Sequence, residues 1–182
     1  KLAIQNQVNN SNTWSITSSR LFRDSTNWYH CVVAIDTTQS TASDRVKLYI
    51  NGNLETVTGT YPNEDDDVLL NNQLEKIGTW DDGGSAYFDY DGYLADFILV
   101  DGTALAPTSF GKSVNGTWIP IDTSGLTFGT KGWRLEFKNT GTGTASSSTV
   151  GADTSGNDFH FTSYGHPQGN MLDCPDNNFC TI

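Results

Sequence analysis

The stretch 79–97, TWDDGGSAYFDYDGYLADF, sets aspartates beside aromatic residues on either side of a Gly-Gly break. That mixture serves three chemistries. Two carboxyl groups about 5 to 9.5 Å apart could flank a glycosidic bond, one as general acid and the other as nucleophile or base. Aspartates could join amide and backbone carbonyls to supply the roughly six to eight oxygens that Ca2+ takes. Aromatic rings could cover the apolar face of a pyranose while nearby polar groups bind its hydroxyls. A fourth reading needs no chemistry: a strand runs into an acidic loop that stays wet and blunts a sheet edge.

The ligand-platform reading selects Trp80, Asp81, Asp82, Tyr87, Asp89 and Tyr90, with Tyr61 as a further ring near an acidic loop. The calcium reading selects Asp65, Asp66 and Asp67 of NEDDDV, together with Asp81, Asp82 and Asp91. Neither acidic loop has EF-hand spacing, so it is composition that admits the metal. Catalysis finds less support. Asp89 and Asp91 would share a face of an extended strand, but no third acid stands near them, and the glutamates Glu55, Glu64, Glu75 and Glu136 are isolated. No nucleophile elbow or paired base can be read either, so the expectation is a protein that is not an enzyme. Phe88, Tyr93 and Phe97 alternate into a strong strand and read as core.

The rest of the chain must position these residues. Gly, Ser, Thr, Asn and Asp recur every eight to twelve residues or so, between runs rich in Val, Ile, Tyr, Phe and Trp, which is an all-β rhythm. DRVKLYINGNLETVT predicts a hairpin: Val46, Leu48 and Ile50 alternate with Lys47 and Tyr49. Asn51-Gly52 then supplies a type I′ turn, and Leu54 with Thr56 or Val57 begins the return. NWYHCVVAIDTT and GYLADFILVDG are apolar on both faces and predict central strands covered on both sides. GWRLEFKN predicts a strand with one wet face, Arg134, Glu136 and Lys138 opposing Trp133, Leu135 and Phe137. A single helical turn is expected near LAPTSFG, where Pro107 suits the first position. The run 139–158 is almost devoid of apolar residues and predicts an exposed loop.

With 182 residues, one β-rich domain with a short tail is expected. The net charge of −11 opposes binding to nucleic acid or to anionic membrane surfaces. No apolar run is long enough to predict membrane insertion. Cys31 reads as a small buried hydrophobe. Cys174 and Cys180 either close a small loop or stay as thiols. The three cysteines with His30, His160 and His166 show no zinc-ligand spacing. Asn9 and Asn115 lie in glycosylation sequons.

FRDSTNWYHCVVAIDTT, DRVKLYINGNLE, FDYDGYLADFILVDGTALAPTSFG, and GWRLEFKN with DTSGNDFHF follow one another between about residues 20 and 161. In that order they resemble the concanavalin A-like lectin/glucanase superfamily, in its laminin-G-like and pentraxin-like branch. The resemblance is closest to copies in bacteriophage virion proteins such as the tail fibres of marine phages. It implies a jelly-roll β-sandwich of two antiparallel sheets over 1–166, whose first strands could precede Lys1. The segment 167–182 would then be a last strand or a linker to a following domain. Glucanases of this fold carry Glu-x-Asp-x-x-Glu along a strand, a pattern this sequence lacks. The function implied is a lectin-like module on the virion surface, extracellular, that recognises host glycans. Other virion subunits would be its partners, in a homo-oligomer for which a trimer is one option. The family often holds Ca2+ at loop tips, although its ligands do not align onto this chain. The alternative function is a spacer or decoration module that contacts only virion subunits, and a polysaccharide-cleaving enzyme ranks behind both.

Overall fold

The computed structural model of the chain describes residues 1–8, 11–68, 75–81 and 87–164. Cα packing divides the chain into two units, Lys1–Tyr93 and Leu94–Ile182. Asn9, Cys174, Cys180, His166 and the segment 167–182 lie outside the described residues.

The first unit begins with β1 (Ala3–Val8) and β2 (Ser11–Ser18), followed by β3 (Cys31–Ile35), β4 (Val46–Ile50) and β5 (Asn53–Leu54). Next come β6 (Val57–Thr60), β7 (Thr79–Asp81) and β8 (Tyr87–Asp89). These form sheets ordered β1-β2-β6 and β3-β4-β5 and the ribbon β7-β8. The expected hairpin is present, with Asn51 and Gly52 at φ 50° and 77° and Tyr49 paired to Leu54. Its return strand is short. Glu55 N–H still reaches the Leu48 carbonyl at 2.8 Å, but from Val57 the chain leaves β4 and pairs with β2 in the other sheet.

One core joins those two sheets. Trp14, Ile16 and Ser18 alternate inward along β2, as Val46, Leu48 and Ile50 do along β4, and all six are buried. Trp14, Ile16 and Val46 form the centre of the cluster, with Ile4, Ile35, Val57, Tyr61 and Val68 packed round it. A one-turn helix, α1 (Ala42–Arg45), turns the buried Arg45 inward, where Nε and both terminal nitrogens donate to the carbonyls of Gln39, Pro62 and Ser40 at 2.7–3.0 Å. The guanidinium thereby ties the 39–40 turn to the 61–62 segment.

Two expectations for this unit are corrected. NWYHCVVAIDTT is a strand only from Cys31, and it is not covered on both sides: Cys31 and Val33 are exposed while Val32 is buried. The reason is position. Among the described residues β3 has β4 as its single neighbour in the sheet, whose central strand is β4. Cys31 is thus no buried hydrophobe, although its Sγ, 3.9 Å from the Tyr29 carbonyl, is withdrawn enough for desolvation, helped by Glu55, to raise its pKa.

The second unit contains β9 (Phe97–Leu99), β10 (Gly111–Val114), β11 (Thr117–Pro120) and β12 (Trp133–Leu135). Ladders β10-β11 and β12-β9 are antiparallel, as are all ladders of the first unit, so the all-β class read from the spacing holds. A 3-10 turn, Pro107–Ser109, stands at LAPTSFG with Pro in its first turn, as expected.

Four further readings are corrected here. GYLADFILVDG contributes only Phe97–Leu99 as strand, because Asp96 adopts φ 46° and breaks the extended run. Tyr93 and Phe97, read as core, are 64% and 41% exposed; Phe97 covers the buried Trp133 with one ring face, stacked at 5.6 Å, and leaves the other to solvent. Arg134 does not lie on a wet face. It is buried, because Thr123, Thr154 and Glu136 supply it with acceptors. The run 139–158 is not an exposed excursion either, since Thr149, Ala152 and Asp153 are buried. Its polar groups answer one another. Val150 N–H donates to the Gly141 carbonyl at 2.7 Å, Asn139 Nδ2 donates to the Ser147 carbonyl at 2.9 Å, and Phe161 N–H donates to the Gly151 carbonyl at 2.8 Å.

Candidate functional site

The β7-β8 ribbon carries most of the residues selected for a ligand platform. Thr79 pairs with Asp89, Trp80 with Phe88, and Asp81 with Tyr87, so the backbone positions of Asp81, Tyr87 and Asp89 fall in one row of the ladder and Trp80 in the other. Asp82 lies outside the described residues. The ribbon is closed at its base by Tyr90, whose N–H donates to the Gly78 carbonyl at 2.7 Å.

Just beyond it the chain presents aromatic rings. Tyr90 is 56% exposed, and its ring lies over Gly92: a Cβ there would stand 2.7 Å from the ring, so glycine is required for this approach. Its hydroxyl donates to the Tyr93 carbonyl at 3.3 Å, which sets the spacing of the two tyrosines. Tyr93 in turn stands 6.5 Å, centroid to centroid, from the half-buried Trp28 with the rings tilted by 52°. Trp28 follows an Asx turn in which Asp24 accepts from Thr26 N–H at 3.0 Å and Thr26 Oγ1 at 2.6 Å. Tyr29 packs edge-on against Phe22 at 5.0 Å, so the segment bearing Trp28 is held from both sides. Trp28, Tyr90 and Tyr93 form a partly exposed aromatic group beside the candidate ribbon. Asp91 lies between the two tyrosines in sequence and is exposed.

Of this group the sequence reading found Tyr90 and missed the other two. By sequence Tyr93 reads as core, and Trp28 falls within NWYHCVVAIDTT, which reads as a central strand. The signals were present: Asp91-Gly92 interrupts the run before Tyr93, and Asp24-Ser25-Thr26-Asn27 is turn chemistry immediately before Trp28.

The other acidic loop is folded on itself. Asp66 Oδ2 accepts from Asn63 N–H at 2.7 Å and from Asn63 Nδ2 at 3.2 Å, Asp65 sits at φ 60° with its N–H on the Thr37 carbonyl, and Glu64 lies 3.5 Å from Arg45. Asp67 is exposed. Among the described residues no three His, Cys, Asp or Glu side chains converge as a group that could hold a metal ion.

A denser polar cluster occupies the second unit, and the sequence reading gave it no role. Asp153 is buried and accepts from Arg134 N–H, Ser155 N–H, Ser155 Oγ and Phe159 N–H at 2.8–3.0 Å. Burial would raise its pKa, yet the backbone N–H groups of Arg134 and Ser155 and the Ser155 hydroxyl outweigh that and hold it below the ordinary value. Asp153 N–H donates to His160 Nδ1 at 2.9 Å. Arg134 Nη2 meets Glu136 Oε1 at 3.0 Å, and Lys138 reaches the same oxygen. Burial opposes the ionised Glu136, but the Lys138 hydrogen bond and the Arg134 charge bring its pKa down on balance. These contacts tie Asp153, Arg134, Glu136 and Ser155 to one another and act as a clamp that shapes the 153–160 loop.

Fold and site together define an all-β chain of small antiparallel sheets with an aromatic group beside a two-stranded ribbon. Compared with protein-family models, with curated proteins and with solved structures, the chain matches none.

Proposed function

We propose that the chain is a non-catalytic adhesion module of a phage virion appendage such as a tail fibre, built as a concanavalin A-like β-sandwich, that binds host-surface carbohydrate. The sandwich reading draws support from the core of the first unit, where Trp14 and Ile16 of β2 pack with Val46 of β4 from the other sheet. The binding reading rests on one observation: Tyr90 and Tyr93, more than half exposed, stand with Trp28 beside the β7-β8 ribbon. Exposed rings fixed by a backbone contact lose little entropy when a sugar stacks on them. Trp80, Asp81, Tyr87 and Asp89 of the ribbon, with Asp82 next in sequence, would complete the site, and Ca2+ would be held by Asp81, Asp82 and Asp91 or by Asp65, Asp66 and Asp67. A glycan array probed with calcium and with chelator tests this. Binding that is lost in Tyr93→Ala supports it, and no binding in either condition by folded, assembled protein removes it.

A second reading, a spacer that contacts only other virion subunits, is favoured by β3. Among the described residues that strand has no neighbour on its outer side in its sheet, and it exposes Val33, as a strand awaiting a partner chain would. It predicts subunit assembly that Val33→Lys disrupts while Tyr93→Ala leaves it intact.

A further inference from the structure

The chain contains two Asn-Gly steps, and both stand at the tip of a type I′ hairpin: Asn51-Gly52 at φ 50° and 77°, and Asn115-Gly116 at φ 50° and 83°. Their backbones are alike and their surroundings are not. Asn51 Oδ1 accepts from His30 N–H at 2.8 Å, Asn51 N–H donates to the His30 carbonyl at 2.8 Å, and Asn53 Nδ2 donates to the Asn51 carbonyl at 3.0 Å. The strand that leads to Asn51 is the central one of its sheet, and Ile50 is fully buried. Asn115 and Gly116 are exposed, and the Asn115 side chain makes no hydrogen bond among the described residues. Its hairpin is a two-stranded ladder with Lys112, Ser113, Val114 and Thr117 all exposed.

We propose that Asn115 is a self-modification site, where the Gly116 backbone nitrogen closes on the side-chain amide and water completes conversion to aspartate and isoaspartate, while Asn51 is held unreactive. The Gly116 nitrogen forms a bond to Asn115 Cγ, the Cγ–Nδ2 bond breaks, and the Gly116 amide proton leaves with the nitrogen as ammonia. Water then adds to either carbonyl of the cyclic imide. Opening at one carbonyl gives aspartate and at the other isoaspartate, with no change in oxidation state. Ring closure needs the Asn ψ to rotate away from its turn value, so the turn must open first. A two-stranded exposed hairpin opens more readily than one anchored through a buried central strand. Asn51 must in addition release Oδ1 from His30. Gly116 matters twice, because it presents an unhindered nitrogen and tolerates the positive φ of the turn. The isoaspartyl product carries one extra negative charge and one extra backbone methylene, which no longer fits the two-residue connection between Val114 and Thr117.

Folded protein held at mildly alkaline pH and physiological temperature is sampled over time, digested and mapped by mass spectrometry for acid at each position. Conversion at Asn115 is expected to run at least about ten-fold faster than at Asn51, the ratio that a difference of about 1.4 kcal/mol in turn opening gives. In denaturant the two rates should converge, and Asn115→Ser should remove the isoaspartate that maps to position 115. Equal rates in the folded state would overturn the proposal. So would a difference that survives denaturation, since it would then belong to the neighbouring residue types rather than to the fold.

Discussion

Asp24, Asp36, Asp122 and Asp153 each accept hydrogen bonds from both the N–H and the hydroxyl of the residue two positions on, Thr26, Thr38, Ser124 and Ser155. Four of the chain's 21 acidic residues are therefore spent on closing turns. All four carboxyl groups are held below their ordinary pKa: Asp24 and Asp36 chiefly by the Thr hydroxyl, Asp122 by the Ser124 N–H, and Asp153 by donors that overcome its burial. A lowered folded pKa means stability that is present above the unfolded value, about 3.9, and is lost as pH falls through the folded value. His30 adds to the same trend, because burial lowers its pKa and the unfolded chain takes up its proton first, below about 6.5. Urea midpoints measured from pH 7 down to pH 2 should fall slowly below about pH 6.5 and steeply below about pH 4; a midpoint that rises on acidification would contradict these assignments. Asp153→Ala should be the most damaging of the four substitutions, lowering unfolding free energy by about 3 kcal/mol, because it strands buried donors, whereas Asp24→Ala changes an exposed turn. The Asp-x-Ser/Thr pattern is written in the sequence, and its chemistry is local, so these turns could have been read directly. What could not be read is that Asp153 would be buried, for its other donors, Arg134 N–H and Phe159 N–H, are brought to it by the fold.

At the scale of elements the same division between local and distant causes recurs. The Asn51-Gly52 hairpin was legible because two adjacent residue types determine a type I′ turn. The burial of β3 and of the Tyr93–Phe97 segment was not, because apolar residues on both faces say nothing about which neighbours arrive. Among the described residues β3 received β4 alone in its sheet, and β9 pairs with β12 and no other strand. The transfer of the chain from β5 to β6, from one sheet to the other within four residues, was equally hidden. It depends on Gly59, which pairs with Ile16 at φ 141°; a Cβ there would stand 2.0 Å from the Ser15 carbonyl oxygen, and backbone cannot yield that distance. Gly59→Ala should cost at least about 2 kcal/mol and loosen the β2-β6 ladder first, which hydrogen exchange at Thr17 and Thr60 would report. Arg45→Met tests the other tie of this unit. Removing a buried guanidinium leaves the carbonyls of Gln39, Ser40 and Pro62 without their donor, and a loss of about 2 kcal/mol is expected in the thermal unfolding curve.

For the whole molecule, a chain with a net charge of −11 repels polyanions and leaves neutral or cationic surfaces as its natural partners. Carbohydrate binding through a small aromatic group is weak for one copy, and adhesion through it depends on repetition. If the chain works as proposed, one copy should bind host polysaccharide weakly, and copies fused to a trimerising stalk should gain about a hundred-fold or more in apparent affinity without any new contact. The Tyr90→Ala/Tyr93→Ala double variant separates the alternatives. Both side chains are more than half exposed, so their loss should shift thermal stability little while it abolishes binding in the single-copy and trimeric forms alike. Should the trimer of the double variant still hold polysaccharide as tightly as the unmodified trimer, the aromatic group would not be the binding surface. The open edge of β3 would then become the part of the molecule through which it acts, and surface plasmon resonance against immobilised host polysaccharide would decide between the two.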